Sequence, residues 1–196
     1  MSHHEPFLSR LKESLFFSWS GLKRHGMVGS VAPSSPWLTR EICRRIDYPN
    51  ARLVVEFGPG SGVFTREILK RLRPDARLVA FELNDEFVHR LQGRITDPRF
   101  TCVHAGAETA HAFLQSEGLG DADALVSGLP LAYFPEEART AVLQGAVRLL
   151  KPGGTMSQFR YFANFGEEFS LYFPEFDMKK VPLNLPAAYV YHGKKA

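Results

Sequence analysis

The chain has 196 residues with an ordinary globular composition, and its 24 Lys+Arg against 21 Asp+Glu leave a formal net charge of +3. That length suits one domain with a sizeable core, and so small a net charge argues for no polyanion partner on its own. No run approaches the roughly 18 apolar residues of a spanning helix, and the Ser-His-His-Glu start lacks the basic-then-apolar pattern of a secretion signal. The expectation is a cytoplasmic chain with at most peripheral membrane contact and no obligate protein partner. Cys43 and Cys102 have no metal-ligand spacing and read as buried thiols, since a disulfide would need an oxidising compartment. No metal site is expected.

From about Glu5 to His25 the pattern predicts an amphipathic helix. Leu8, Leu11, Leu15, Trp19 and Leu22 recur at steps of three or four, Phe16 widens their face, and Lys23 and Arg24 are among the basic residues at its border. A Gly-, Ser- and Pro-punctuated loop runs from Gly26 to Pro36, and a short helix follows to Arg45, with Ser35 as N-cap and Pro36 at its first position. Strands and helices then alternate. Strands are expected at Leu53–Phe57, Arg77–Glu82, Phe100–His104, Ala122–Ser127 and Thr155–Tyr161. Helices are expected at Val63–Arg73, Asp85–Arg94, Glu108–Ser116 and Pro135–Leu150, with a turn at Lys151–Gly154. This rhythm predicts an α/β fold, a Rossmann-like and mostly parallel sheet covered on both faces. Two aromatic, β-prone segments, Phe169–Phe173 and Ala187–His192, predict a closing strand pair that makes seven strands, the last antiparallel.

The first strand runs directly into Glu56-Phe57-Gly58-Pro59-Gly60-Ser61-Gly62 and then a helix, an arrangement in which glycines leave backbone open to close approach by a ligand. The spacing lacks the third glycine of a dinucleotide fingerprint, and Glu56 would repel a pyrophosphate. A carboxylate there suits a ligand carrying an ammonium and a sulfonium. Glu82 closes the second strand 20 residues after Gly62, the usual distance for an acid that binds ribose hydroxyls.

On these residues the chain resembles the class I S-adenosylmethionine-dependent methyltransferases. The resemblance implies that Glu56, Gly58, Pro59, Gly60, Ser61 and Gly62 wrap the methionine portion, and that Glu82 holds the ribose. Leu83, Gly106, Ala107 and Glu108 would flank the adenine, and S-adenosylhomocysteine would be the product. The loop after the fourth strand, Ser127-Gly128-Leu129-Pro130-Leu131-Ala132-Tyr133, would face the transferable methyl group. Ser127, Gly128, Leu129, Pro130 and Tyr133 are the catalytic candidates, with Ser127 also beside the cofactor. Methyltransferases of nucleobase amines carry an Asn or Asp at the first of these positions and an aromatic after the proline. Ser127 and Leu131 depart from that pattern and count against adenine.

The resemblance is closer to the small peripheral bacterial phospholipid N-methyltransferases. It rests on the basic amphipathic N-terminal helix, Gly29-Ser30-Val31-Ala32-Pro33-Ser34, the Ser127 loop, and Leu183-Asn184-Leu185-Pro186-Ala187-Ala188. It implies residues 1–35 as helix and substrate loop, residues 36–196 as the methyltransferase domain, and methylation of the phosphatidylethanolamine headgroup amine towards phosphatidylcholine. Ser34, Ser35 and Arg160 would meet the phosphate, and Trp37, Tyr133 and Tyr161 a methylated nitrogen. The N-terminal helix would lie on the inner face of an anionic membrane or pack on the domain. The competing expectations are an rRNA adenine or other small-amine methyltransferase, with no broad basic surface to favour nucleic acid, and a cofactor-binding adaptor without catalysis.

Overall fold

The structure, a computed structural model, describes residues 34–196. The expected amphipathic helix, with Leu8, Leu11, Leu15, Phe16, Trp19, Leu22, Lys23 and Arg24, lies outside the described residues. The first described helix, α1 (Pro36–Ile42), starts as expected: Ser35 Oγ accepts from Leu38 N at 3.2 Å and proline occupies the first turn.

Five strands follow the alternation expected for βαβ units. They are β1 (Leu53–Phe57), β2 (Arg77–Glu82), β3 (Phe100–His104), β4 (Ala122–Ser127) and β5 (Leu150–Arg160). The crossovers are α2 (Val63–Arg71), α3 (Asp85–Arg94), α4 (Ala110–Ser116) and α5 (Glu136–Leu149). Then come a short helix α6 (Gly166–Ser170), β6 (Glu175–Val181) and β7 (Ala188–Lys194). The seven strands form one sheet in the order β3-β2-β1-β4-β5-β7-β6, with β1 to β5 parallel and β7 antiparallel to both neighbours. β1 is buried along its whole length, as a strand covered on both faces must be. Phe57, Phe81 and Met156 pack beneath α4 and α5, and Val54, Leu78 and Val126 pack beneath α1 and α2.

One expected strand is corrected. Phe169–Phe173 is the end of α6 and the turn after it, and the sixth strand is Glu175–Val181 instead. Phe165, Phe169 and Phe173 recur every four residues, so a helical turn places all three rings on one face. There Phe165 meets Phe169 at a tilt, 5.3 Å between centroids, Phe169 stacks on Phe173 at 4.9 Å, and all three are fully buried. Gly193 on β7 makes room for them, since a Cβ there would lie 2.5 Å from Phe173. The expected turn at Lys151–Gly154 lies instead within β5, where the register to β4 shifts between Ala122 and Ala124.

The pairing also fixes which end of the sheet carries which loop. Arg160 at the end of β5 pairs with Tyr189 at the start of β7, and Val181 pairs with Ala188. The β6–β7 turn therefore lies at the same end as the loops leaving β1, β2 and β4. That end, the carboxyl side of the parallel strands on both flanks of β1, is where such folds bind ligands.

Candidate functional site

Gly58, Gly60 and Gly62 have φ of 64°, 51° and 77°, the left-handed region that only glycine adopts without strain. Gly62 N-caps α2, and a Cβ on it would stand 2.6 Å from Leu91. Pro59 is buried in the turn, its carbonyl accepting from Gly62 N at 2.8 Å, and Ser61 is exposed. At the end of β2 the buried Glu82 reaches across to this loop. Its Oε2 accepts from Gly60 N at 3.1 Å and its Oε1 from Asn84 N at 2.9 Å. Burial holds its carboxyl above the usual carboxylate range, against those backbone donors.

Glu56 is fully buried on β1. Its Oε2 accepts from the Thr65 hydroxyl at 2.7 Å, and its Oε1 has no donor among the described residues. Desolvation pushes its carboxyl up to about 8, with the Thr65 hydrogen bond opposing. A buried acid with an open acceptor is a place for a cation to dock.

One cleft brings Gly58, Glu82, Leu83, Gly106, Ala107 and Leu129 together. Phe81 and Phe134 complete its wall. The Glu108 carboxylate folds back on Gly106, where a Cβ would meet Oε2 at 2.2 Å. His104 is exposed, with Nε2 3.1 Å from the Leu83 carbonyl. Both thiols are free. Burial raises that of Cys43, and burial followed by the charges of Glu82 and Glu56 pushes that of Cys102 up to about 12, which leaves neither nucleophilic.

The loop after β4 sits against the glycine loop. Gly128 N donates to Phe57 O at 2.8 Å, and a Cβ on Gly128 would lie 2.7 Å from Gly58 O, so the close approach admits only glycine. Ser127 is buried, with Leu129 N 3.4 Å from its hydroxyl. Pro130 precedes a single 3₁₀ turn that leaves Tyr133 exposed. Gln158 belongs to none of the motifs in the sequence. It lies beside Ser127 in the sheet register, fully buried, and its Nε2 donates to Leu129 O at 3.0 Å and Phe159 O at 2.8 Å. Its Oε1 is buried with no donor among the described residues. The available signal was an amide inside the Met156–Phe159 strand, where a polar group needs partners.

The substrate candidates fall into separate places. Tyr161 packs edge-on to Phe159 at 5.7 Å, and its hydroxyl is held up first by burial and then by neighbouring Tyr133. Ser34 lines a hollow with Val63 and Arg66 on α2, which sets it beside the glycine-loop end of that helix. Ser35 N donates to Asn184 Oδ1 at 3.0 Å while its hydroxyl caps α1, so its free donor is the hydroxyl hydrogen. Trp37 lines a surface hollow that Leu183 also borders. Arg160, the last residue of β5, alternates onto the opposite face from Phe159. There its guanidinium stands 4.4 Å over Phe165, and burial lowers its affinity for a proton.

The donor set fits S-adenosylmethionine. A buried acid with an open oxygen lies on one side of a glycine turn, and a second acid closes the next strand beside a small apolar cleft. Residues 54–154, more than half of the chain, match the family described as "Methyltransferase domain". An ornithine lipid N-methyltransferase from Singulisphaera acidiphila is 33% identical, over 92% of this chain and 95% of that protein. A ribosomal RNA small subunit methyltransferase H from Christiangramia forsetii is 26% identical over 76% of this chain, which spans half of that protein's length. The N-methyltransferase NodS from Bradyrhizobium japonicum, solved with S-adenosylhomocysteine, superposes with a TM-score of 0.61 at 14% identity, covering 82% of this chain and 88% of that one. The chain belongs to the methyltransferase-domain family and is a class I S-adenosylmethionine-dependent methyltransferase.

Proposed function

We propose that this enzyme methylates the headgroup amine of a membrane lipid, with phosphatidylethanolamine and its methylated derivatives as acceptors. The observation that carries this reading is how far the lipid-enzyme likeness extends. The family match ends at residue 154, whereas the likeness to a lipid N-methyltransferase covers 92% of the chain. It therefore takes in elements that a generic methyl-transfer core does not need. An rRNA acceptor is less well supported, because the likeness to the rRNA enzyme spans only half of that protein.

In this reading Glu56 and Gly58 to Gly62 hold the methionine end of the cofactor, Glu82 the ribose, and Leu83, Gly106, Ala107 and Glu108 the adenine. The cofactor supplies an already activated methyl group. What remains for the protein is to place an amine in line with it. The amine must arrive without its extra proton, whose reference pKa is about 10. Ser127, Gly128, Leu129 and Pro130 form the acceptor loop, and Gln158 fixes its Leu129 carbonyl. The open Gln158 Oε1 supplies a further acceptor for an N–H. Tyr133 and Tyr161 offer ring faces to a nitrogen that gains charge as it is methylated. Trp37 offers another nearer the rim, and Ser34, Ser35 and Arg160 are the groups available to a phosphate. The N-terminal segment would bring the chain to an anionic surface. No helix among the described residues is long and apolar enough to cross a membrane.

The test is methyl transfer from labelled S-adenosylmethionine to separate liposomes containing phosphatidylethanolamine or ornithine lipid, and to ribosomal RNA. Label in phosphatidylethanolamine is expected. Label in ornithine lipid alone would move the acceptor to that lipid, and label in RNA alone would overturn the reading.

A further inference from the structure

Large apolar side chains left in solvent are unevenly placed on this domain. Of the eight that are exposed among the described residues, five, Trp37, Tyr133, Phe162, Leu183 and Leu185, belong to segments at or beside the carboxyl end of the parallel strands, while Leu171 follows α6 and Phe176 and Met178 lie on the edge strand β6. The β6–β7 turn is the most marked. Asn184 is buried, accepting from Ser35 N and donating to Pro186 O at 2.8 Å, and this pins the turn to the start of α1. The residues flanking it, Leu183 and Leu185, are 59% and 83% exposed, and Trp37 in the first turn of α1 is 53% exposed. Single exposed leucines are ordinary. A rigid turn that holds two outward beside an exposed tryptophan is a different matter.

Trp37 and Leu183 share a surface hollow with Arg40, Lys179 and Lys180, its one acidic member being Glu41. Glu41 is already engaged by Arg44 at 2.8 Å and faces His192 at 3.2 Å. Among the described residues none of the three basic groups has an ion-pair partner, and Lys180 Nζ instead lies 5.8 Å from the Tyr189 ring. Aliphatic and indole groups at the tip, with Arg40 and Lys179 behind them and Lys180 on the other face of the edge strand β6, match the layering of a bilayer interface, apolar below and anionic above.

We infer that this rim, Trp37, Leu183 and Leu185 backed by Arg40, Lys179 and Lys180, is a docking surface of the folded domain for an anionic lipid bilayer. It deepens the lipid-acceptor reading and rests on it for its purpose. Docking by this end would set the loops after β1, β2 and β4 towards the membrane, so that a headgroup reaches the Ser127 loop without leaving the bilayer.

The experiment is sedimentation of the full chain with vesicles of phosphatidylcholine, with and without phosphatidylglycerol. Leu183→Ser/Leu185→Ser is expected to weaken binding to the mixed vesicles roughly tenfold. Lys179→Ser/Lys180→Ser is expected to weaken it about 25-fold on mixed vesicles, at about fivefold per basic residue, and to leave the weak binding to pure phosphatidylcholine unchanged. Cofactor affinity within twofold of the parent, by calorimetry, shows that each variant is folded. Variants that sediment like the parent would overturn the inference, as would a parent chain that binds neither vesicle. It would also fall if the leucine pair abolished self-association in analytical ultracentrifugation while vesicle binding persisted, since the occupant would then be a second copy. Vesicle binding that depends on the rim while no lipid amine is methylated would sustain this surface and sink the lipid-acceptor reading alone.

Discussion

The two halves of the ligand-binding end of the sheet are built differently. Around β1 and β2 the site is made of backbone conformation and buried acids: three glycines at positive φ, Glu82 accepting from the Gly60 amide, and Glu56 with an open oxygen. Around β4, β5 and β7 it is made of contacts between residues far apart in sequence. Gln158 holds the Leu129 carbonyl, Asn184 holds Ser35, and Ser157 Oγ and His192 Nδ1 meet at 2.8 Å behind α1. The first half tolerates little change, because positive φ at Gly58, Gly60 and Gly62 restricts those positions to glycine. The second is assembled from side-chain hydrogen bonds that single substitutions can remove one at a time.

The largest effect is expected at Glu82. Glu82→Ala removes a charged acceptor and the anchor of Gly60, for which a loss of about 3 kcal/mol, somewhat over a hundredfold in cofactor affinity, is expected by calorimetry. Gly128→Ala should be next, because its Cβ would meet the Gly58 backbone oxygen, which cannot swing aside. Thermal unfolding should register about 1–3 kcal/mol of destabilisation, with methyl transfer lost more steeply than cofactor binding.

The pH dependence sharpens the contrast, because the two halves have opposite slopes. Glu56 ionises near 4.5 in an unfolded chain and about 8 in the fold, so the cofactor-free protein loses stability as pH rises through that window. Glu56→Gln should flatten that limb in thermal denaturation. The same carboxyl should ionise on meeting the cofactor ammonium, so binding at pH 7 should release close to one proton, measured by calorimetry in buffers of different ionisation enthalpy. Burial lowers the affinity of His192 for a proton, against its contact with Glu41, so stability falls as pH drops below the ordinary 6.5. His192→Asn should flatten this acid limb, with the smallest effect of the four.

How much of this was legible follows the same division. β1 to β4 and the glycine loop stand in the sequence because apolar runs, left-handed glycines and strand-terminal acids are local signals with fixed spacing. The aromatic run Phe169–Phe173 misled, since its residues are β-prone while their four-residue period is helical, and the burial that decides between the two comes from Tyr191 and Gly193 on a later strand. Gln158 and the hydrogen bonds of Asn184 were invisible for a related reason. Their partners lie 29 and 149 residues away, and only the register of the sheet brings them together.

The claim that cofactor and acceptor are held by separable devices is tested most directly by Gln158→Leu, assayed for both in one preparation. Cofactor affinity is expected to stay within twofold of the parent, with a loss of roughly tenfold in kcat/KM for the lipid amine from freeing the Leu129 carbonyl and removing a buried acceptor. A matching loss of cofactor affinity, or an unchanged kcat/KM, would contradict it.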